Sequence, residues 1–228
     1  MSLFAIGDMH LSSTCEKPMD VFKGWDNYTD RLQSNWNRLV GEEDTVVIAG
    51  DTSWAMTLAE AFGDFSLIES LRGKKLILKG NHDYWWNTIG KMNAFLEQCG
   101  FKTISFIHNN SYLVGDIAVC GTRGWFCENE QTDEKVLARE AGRLRASIAA
   151  AKKTGGQAVV FLHYPPIGES FICEEICNVL ESEGIKRCFF GHLHGFVPLK
   201  NASFDYNGVH YELISADHLG FCPRLIEK

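Results

Sequence analysis

Side chains that could bind metal ions recur in five short segments of the sequence. The segments are Asp8-Met9-His10, Gly50-Asp51, Gly80-Asn81-His82-Asp83, His163, and Gly191-His192-Leu193-His194. Five of the eight histidines fall in them. A mixed set of carboxylate, imidazole and amide ligands suits borderline divalent ions such as Mn²⁺, Fe or Zn²⁺. The residue types therefore predict a metal centre.

The number and charge of the ligands indicate what this centre does. There are seven candidate ligands: Asp8, His10, Asp51, Asn81, His163, His192 and His194. They exceed the needs of one four- or five-coordinate ion and suit two ions that share a carboxylate. Two divalent ions and only two carboxylates leave a formal positive charge, which matches a phosphate dianion. We expect two ions (Mn, Fe or Zn) and hydrolysis of a phosphate ester by a bridging hydroxide.

The elements predicted around these segments explain how they could meet. Each segment follows one of five predicted strands, at residues 3–6, 45–49, 75–79, 158–162 and 187–190. Hydrophobic periodicity predicts helices at residues 27–40, 55–71, 85–99, 133–153 and 173–181. Ligands in α/β proteins gather at the carboxyl ends of parallel strands, so the five segments are expected at one rim.

The remaining predicted strands favour an antiparallel arrangement. Residues 112–114 and 117–120 are predicted to form a hairpin, and residues 196–199 a further strand. Asn207-Gly208 is a strong type I′ turn signal between strands at Tyr206 and residues 210–214. Parallel units joined to hairpins predict an α/β fold of two mixed sheets, packed face to face with helices outside. No linker or repeat divides the chain, so residues 1–228 are expected to form a single domain.

Composition narrows the class of protein. The chain has 228 residues, of which 45% are hydrophobic and 22% charged, as in a globular protein. A net charge of -7 without a basic run disfavours nucleic-acid binding. No apolar run reaches a membrane span, and the first residues do not resemble a signal peptide, so we expect a cytoplasmic protein. The eight cysteines are expected to be reduced, with thiolate-bound zinc as the alternative.

The ordered set Asp-x-His, Gly-Asp, Gly-Asn-His-Asp, His, Gly-His-x-His resembles the calcineurin-like metallophosphoesterase superfamily. The matches run from residue 8 to residue 194. The resemblance implies a four-layer α/β/β/α sandwich with a dinuclear site. It implies one ion at Asp8, His10, Asp51 and His194, and the other at Asp51, Asn81, His163 and His192. His82 would act on the leaving group as an acid or an electrostatic stabiliser, and Asp83 would orient it. Asp51 is followed by Thr52-Ser53-Trp54, where many members carry an acidic residue.

A long loop at residues 121–133 supplies candidates for substrate contact. Arg123 is a candidate phosphate ligand because arginine binds phosphate oxygens in a bidentate manner, although it could equally be a surface residue. Five aromatic residues near the motifs are predicted to pack in the core rather than to stack on a nucleobase: Trp54, Trp85, Trp86, Trp125 and Phe126.

The favoured function is therefore a metal-dependent phosphatase or phosphodiesterase that acts on a small phosphorylated substrate. Two alternatives stay open. A nuclease of the same chemistry is disfavoured by the missing basic patch. A metal-binding scaffold without catalytic activity is disfavoured because His82 accompanies all seven candidate ligands.

Overall fold

Two mixed β-sheets form the centre of the fold, which a computed structural model describes for residues 1–125, 134–195 and 197–228. The strands of the first sheet are β1 (Leu3–Ile6), β2 (Thr45–Ala49), β3 (Lys74–Leu78), β4 (Ile104–Phe106) and β11 (Arg224–Glu227). Their order is β11-β1-β2-β3-β4, and only β11 runs antiparallel to its neighbour.

The second sheet has six strands. They are β5 (Ser111–Val114), β6 (Ile117–Thr122), β7 (Gln157–Leu162), β8 (Arg187–Phe190), β9 (Ser203–Tyr206) and β10 (Val209–Leu213). Their order is β5-β6-β7-β8-β10-β9. The four central strands are parallel, and the two edge strands belong to antiparallel hairpins.

Helices cover the outer face of each sheet. The helices are α1 (Tyr28–Leu39), α2 (Phe62–Ser70), α3 (Ile89–Cys99), α4 (Glu134–Lys153), α5 (Glu174–Ser182) and the single turn α6 (Leu199–Ala202). Apolar residues of α1, α2 and α3 pack on one face of the first sheet, and those of α4 and α5 pack on the second. None of the described helices is both long and apolar enough to cross a membrane.

The two sheets pack directly against each other. Side chains alternate along β1, so that Ala5 faces the second sheet while Phe4 and Ile6 face the helices. The layer between the sheets includes Val47 on one side and Phe161 on the other. The expected four-layer α/β/β/α sandwich is therefore confirmed.

Helix starts are where the sequence prediction was least accurate. The helix predicted from residue 55 begins only at Phe62. Its expected first turn is replaced by local hydrogen bonds: Met56 N–H donates to the Glu60 carboxylate, and Glu60 N–H donates to Thr57 Oγ1. Such side-chain bonds compete with helical backbone bonds. The helix predicted from residue 85 begins at Ile89.

The strand predicted for residues 196–199 is wrong among the described residues, because residues 197–198 form no strand and Leu199 begins α6. Phe196 lies outside the described residues, as do Phe126, Asp133 and most of the predicted loop at residues 121–133. Two short strands, β4 and β11, had no counterpart in the sequence prediction.

Candidate metal centre

The five metal-type segments meet at one rim of the sandwich. The first sheet contributes the residues that follow β1, β2 and β3, and the second contributes those that follow β7 and β8. Hydrogen bonds join the two sheets at this rim: Gly7 N–H donates to Ile214 C=O at 2.7 Å, and His192 N–H donates to the Asp8 carboxylate at 2.9 Å. The site therefore lies between the sheets, with ligands from both.

The backbone is strained where the ligands leave the strands. Four candidate ligands have a left-handed backbone, with φ of 56° at Asp8, 46° at His10, 48° at Asp51 and 72° at His192. Residues other than glycine adopt this conformation at a cost of about 1–3 kcal/mol each, and such strain clusters at functional sites. Here it turns consecutive side chains toward a common centre.

Two glycines of the motifs are required by close approach to the carboxylates. A Cβ atom on Gly80 would collide with the Asp51 carboxylate, and one on Gly191 would collide with the Asp8 carboxylate. Because backbone rather than a flexible side chain packs on each carboxylate, neither carboxylate can move aside. The glycines of Gly-Asn-His-Asp and Gly-His-x-His thus hold the ligands of the neighbouring segments in place.

The first ligand group consists of Asp8, His10 and His194. Nε2 of His10 lies 3.1 Å from Nε2 of His194, which is itself 3.7 Å from Asp8 Oδ1. His194 Nδ1 donates to Asp217 Oδ1 at 3.1 Å, which leaves Nε2 to act as a metal ligand. Burial alone would lower the pKa of His194, but the bond to Asp217 and the charge of Asp8 raise it.

The second ligand group consists of Asp51, His163 and His192. His163 is fully buried, and its Nδ1 lies 3.1 Å from the carbonyl oxygen of Ala49. Its Nε2 lies 3.5 Å from Asp51 Oδ2 and 2.6 Å from Asn81 Oδ1. Asn81 therefore joins this group, as the resemblance implied. Cysteine is present in neither group.

One carboxylate oxygen faces both groups. Asp51 Oδ2 lies 3.8 Å from His10 Nε2 in the first group and 3.5 Å from His163 Nε2 in the second. It is buried and accepts no hydrogen bond from the described residues, whereas Asp51 Oδ1 accepts one from His82 N–H at 2.8 Å. A buried carboxylate oxygen without a donor is costly unless a cation meets it. The residues present therefore fit a pair of divalent ions with Asp51 between them.

The charge states of the ligands are consistent with this fit. Burial raises the pKa of Asp8 to about 7, and burial together with the charge of Asp8 raises the pKa of Asp51 to about 9. Burial lowers the pKa of His10 and His163, and lowers the pKa of His192 to about 4. These three histidines are thus neutral and ready to bind metal, whereas His194 holds a proton more readily, and the carboxylates lack a counter-charge that a cation would supply.

The two candidate catalytic residues lie beside the ligands but do not contact each other as expected. His82 lines the cavity, and its Nδ1 lies 3.2 Å from the Tyr84 hydroxyl. The Asp83 carboxylate instead accepts hydrogen bonds from the N–H groups of Gly80 and Thr52, and from the Trp85 indole. Among the described residues the His82 ring makes no hydrogen bond to Asp83, and a role for Asp83 in orienting His82 stays a prediction. Asp83 fixes the loop that carries Asn81 and His82.

A cavity of about 490 Å³ opens onto residues of both ligand groups. Its walls include His82 and the aromatic side chains of Trp25, Trp54 and Phe22. Trp54 stacks on the ring of His10, with ring centroids 4.9 Å apart. Trp54 is thus both a packing residue, as predicted, and part of the cavity wall, whereas Trp85 is buried in the core.

Arg123 does not line this cavity. Its carbonyl oxygen accepts hydrogen bonds from the N–H groups of His163 and Tyr164, and its guanidinium lies 5.1 Å from the centroid of the Trp125 ring. Arg123 instead lines a second cavity. Its role in substrate binding stays a prediction.

Sequence reasoning missed Asp217 and Trp25. Asp217 follows β10, which runs parallel to β8, so its strand ends at the same rim as the ligands. The pair Asp217-His218 after a predicted strand was therefore a usable signal. Trp25 lies within the long segment between β1 and α1, and nothing in its spacing points to the site.

Comparison with known proteins agrees with this geometry. The sequence profile of calcineurin-like phosphoesterases matches residues 1–196. The chain therefore belongs to the calcineurin-like phosphoesterase family. It is a metal-dependent phosphoesterase, and its two ligand groups correspond to the dinuclear centre of that family. No curated protein matches the sequence significantly.

Solved structures share the fold at low sequence identity. A protein of Thermus thermophilus has a TM-score of 0.61 at 8% identity, over 99% of this chain and 97% of that one. The phosphopantetheinyl hydrolase of Mycobacterium tuberculosis has a TM-score of 0.55 at 14% identity, over 99% and 95%. A purple acid phosphatase from yellow lupin seeds has a TM-score of 0.52 at 14% identity, over 100% of this chain and 45% of that one. These similarities establish the fold.

Proposed function

We propose that this enzyme hydrolyses a phosphomonoester or phosphodiester of a small molecule at two divalent ions that share Asp51. The observation that carries the proposal is the position of Asp51 Oδ2, buried between the two ligand groups and without a hydrogen-bond donor among the described residues. When bound, the ions would polarise a phosphoryl oxygen and acidify a water molecule enough for it to attack phosphorus at neutral pH.

The residues of the chain would bind the two ions and donate a proton to the leaving group. Asp8, His10 and His194 would hold one ion, and Asn81, His163 and His192 the other. The ring of His82 lies 5.8 Å from that of His10, at the cavity side of the first ligand group. Since the Tyr84 hydroxyl lies at Nδ1 of His82, Nε2 is the nitrogen left to donate a proton to the leaving oxygen.

The protonation of His82 would depend on the substrate. Burial and the charge of His194 lower the pKa of His82. A phosphate dianion in the cavity would favour the protonated ring, whereas the bound divalent ions would disfavour it. A leaving group that is a poor anion needs this proton most.

We also propose a cytoplasmic enzyme with no nucleic-acid or membrane partner. The acidic net charge of -7 supports this proposal, because nonspecific nucleic-acid binding requires clustered cations.

The test is to remove bound metal with a chelator, restore Mn²⁺, and compare the turnover of p-nitrophenyl phosphate with that of bis-p-nitrophenyl phosphate. Hydrolysis that returns with Mn²⁺ is expected, and the ratio of the two rates distinguishes a monoesterase from a diesterase. If Mn²⁺ binds but neither ester is hydrolysed, the scaffold alternative is favoured and the catalytic proposal is wrong.

A further inference from the structure

A second cavity, of about 380 Å³, has a strongly cationic lining. The basic side chains in its wall are Lys79, Arg123 and Arg143, and Glu140 is its acidic side chain among the described residues. Three positive charges and one negative charge leave a formal excess of two positive charges. A cavity of this kind is suited to a phosphate group.

The chain brings these residues together from three separate elements. Lys79 follows β3, Arg123 follows β6, and Arg143 lies on α4, which packs against β6. Glu140 is buried, accepts a hydrogen bond from Thr122 Oγ1 at 3.0 Å, and pairs with Arg143 at 3.1 Å. Glu140 thus aims the guanidinium of Arg143 but balances only one of the three cations.

The backbone connects the cationic cavity to the metal centre at two points. Lys79 precedes the candidate ligand Asn81 by two residues, which is about 6–7 Å along an extended chain. The carbonyl oxygen of Arg123 accepts the N–H of His163, a ligand of the second group, at 3.1 Å. A molecule whose scissile phosphate lies at the ions could therefore extend a few bonds into the second cavity.

We propose that the cavity lined by Lys79, Arg123 and Arg143 binds a second phosphate group of the substrate. The substrate class is then a small bisphosphorylated molecule, such as a sugar or nucleoside bisphosphate, whose two phosphates are separated by a scaffold. This proposal rests on the proposed function, because it takes the metal centre as the place of the scissile phosphate.

The first test compares two inhibitors of p-nitrophenyl phosphate hydrolysis by the Mn²⁺-loaded enzyme, glucose 6-phosphate and glucose 1,6-bisphosphate. The bisphosphate should bind about tenfold or more tightly, which is the factor given by roughly 1.4 kcal/mol. Arg143→Gln should remove this preference, Arg143→Lys should keep part of it, and Arg145→Gln, an exposed control on the same helix, should keep all of it. Equal inhibition constants in the wild type, or a preference that survives Arg143→Gln, would overturn the proposal.

The second test does not depend on activity. Calorimetric titration of the Mn²⁺-loaded protein with inorganic phosphate should give two sites per chain in the wild type and in Arg145→Gln, and one site in Arg143→Gln. A single site in the wild type would overturn the cationic subsite even if the enzyme is active. Two sites in the wild type together with no preference for the bisphosphate would show that the cavity takes free phosphate, and the assignment of a bisphosphorylated substrate would be wrong.

Discussion

The two ligand groups at the rim contain the same kinds of residue but are supported differently. In the first group, the side chain of His194 is 35% exposed, and its Nδ1 donates a hydrogen bond to the Asp217 carboxylate. In the second group, His163 is fully buried and is held by the backbone carbonyl of Ala49 from the opposite sheet. His163 is therefore part of the packing between the sheets, while His194 is open to the cavity, which the second group reaches through His192.

This difference indicates a division of labour between the two ions. An ion in the second group would be held in part by His163, which cannot move without separating the sheets. An ion in the first group would exchange more readily and would meet the leaving-group side of the substrate, where His82 lies. Asp51 connects the groups and should be the residue whose loss affects both.

The largest effect is expected from Asp51→Asn. The change removes the shared negative charge, so both ions should be lost together and turnover should fall by about a thousandfold or more, at least as much as when one transition-state donor is removed. Metal content by mass spectrometry and turnover of p-nitrophenyl phosphate measure the two outcomes. Asp116→Asn, an exposed carboxylate in the β5–β6 turn, is the matched control. A variant that retains one tightly bound ion would show that the groups are independent.

His82→Ala should affect substrates according to their leaving groups. General-acid catalysis typically contributes about 10²–10⁴ in rate, so esters of alkyl alcohols should slow by that order. Esters of p-nitrophenol should slow far less, because their leaving group hardly needs a proton. The comparison is made with kcat for both ester types, and equal slowing of both would rule out proton donation by His82.

Asp217→Asn should lower the metal affinity of the first ligand group alone. Loss of a carboxylate behind a ligand histidine typically lowers metal affinity by about 10–100-fold. Competition with a fluorescent chelator should therefore show one ion that binds more weakly and one ion whose affinity is unchanged. If the affinity for both ions falls equally, Asp217 does not support the first group alone.

Metal removal should make stability depend on pH. Asp8 and Asp51 have pKa values raised from 3.8 to about 7 and about 9 in the folded chain, so the folded state holds the Asp8 proton up to about pH 7 and the Asp51 proton up to about pH 9, where the unfolded state has released both. Stability of the stripped protein should therefore fall as pH rises toward these pKa values, and His194, whose pKa is also raised, acts in the same direction. Each kcal/mol lost lowers Tm by about 2–4 °C. With Mn²⁺ bound the same scan should be flat, and a slope that Mn²⁺ does not change would argue against these carboxylates as ligands.

Much of the metal centre could be predicted because its ligands are encoded locally. When a ligand segment directly follows a strand, the direction of that strand is enough to predict that the ligand lies at the rim. The type I′ hairpin was predicted in the same way, and Asn207 and Gly208 indeed have φ of 47° and 76°. β4 has only three residues, and β11 has a charged residue at each end and a single buried one, so neither gives an apolar run.

The supporting residues could not be predicted because they depend on packing between distant elements. The role of Asp83 is decided by which N–H groups the fold brings to its carboxylate. The meeting of Lys79 with Arg143 depends on where α4 lies against the second sheet, which no local spacing encodes. Asp217 differs from these residues. Its position after a strand could be predicted from the sequence, but its hydrogen bond to His194 Nδ1 could not.

Asp51 is proposed to join the two metal ions, and electron paramagnetic resonance of the Mn²⁺-loaded protein distinguishes joined ions from separate ones. Two Mn²⁺ ions that share a carboxylate lie about 3.5–4 Å apart and are magnetically coupled. The account predicts a coupled signal at two ions per chain that is absent in Asp51→Asn. Two independent single-ion signals in the fully loaded wild type would contradict it.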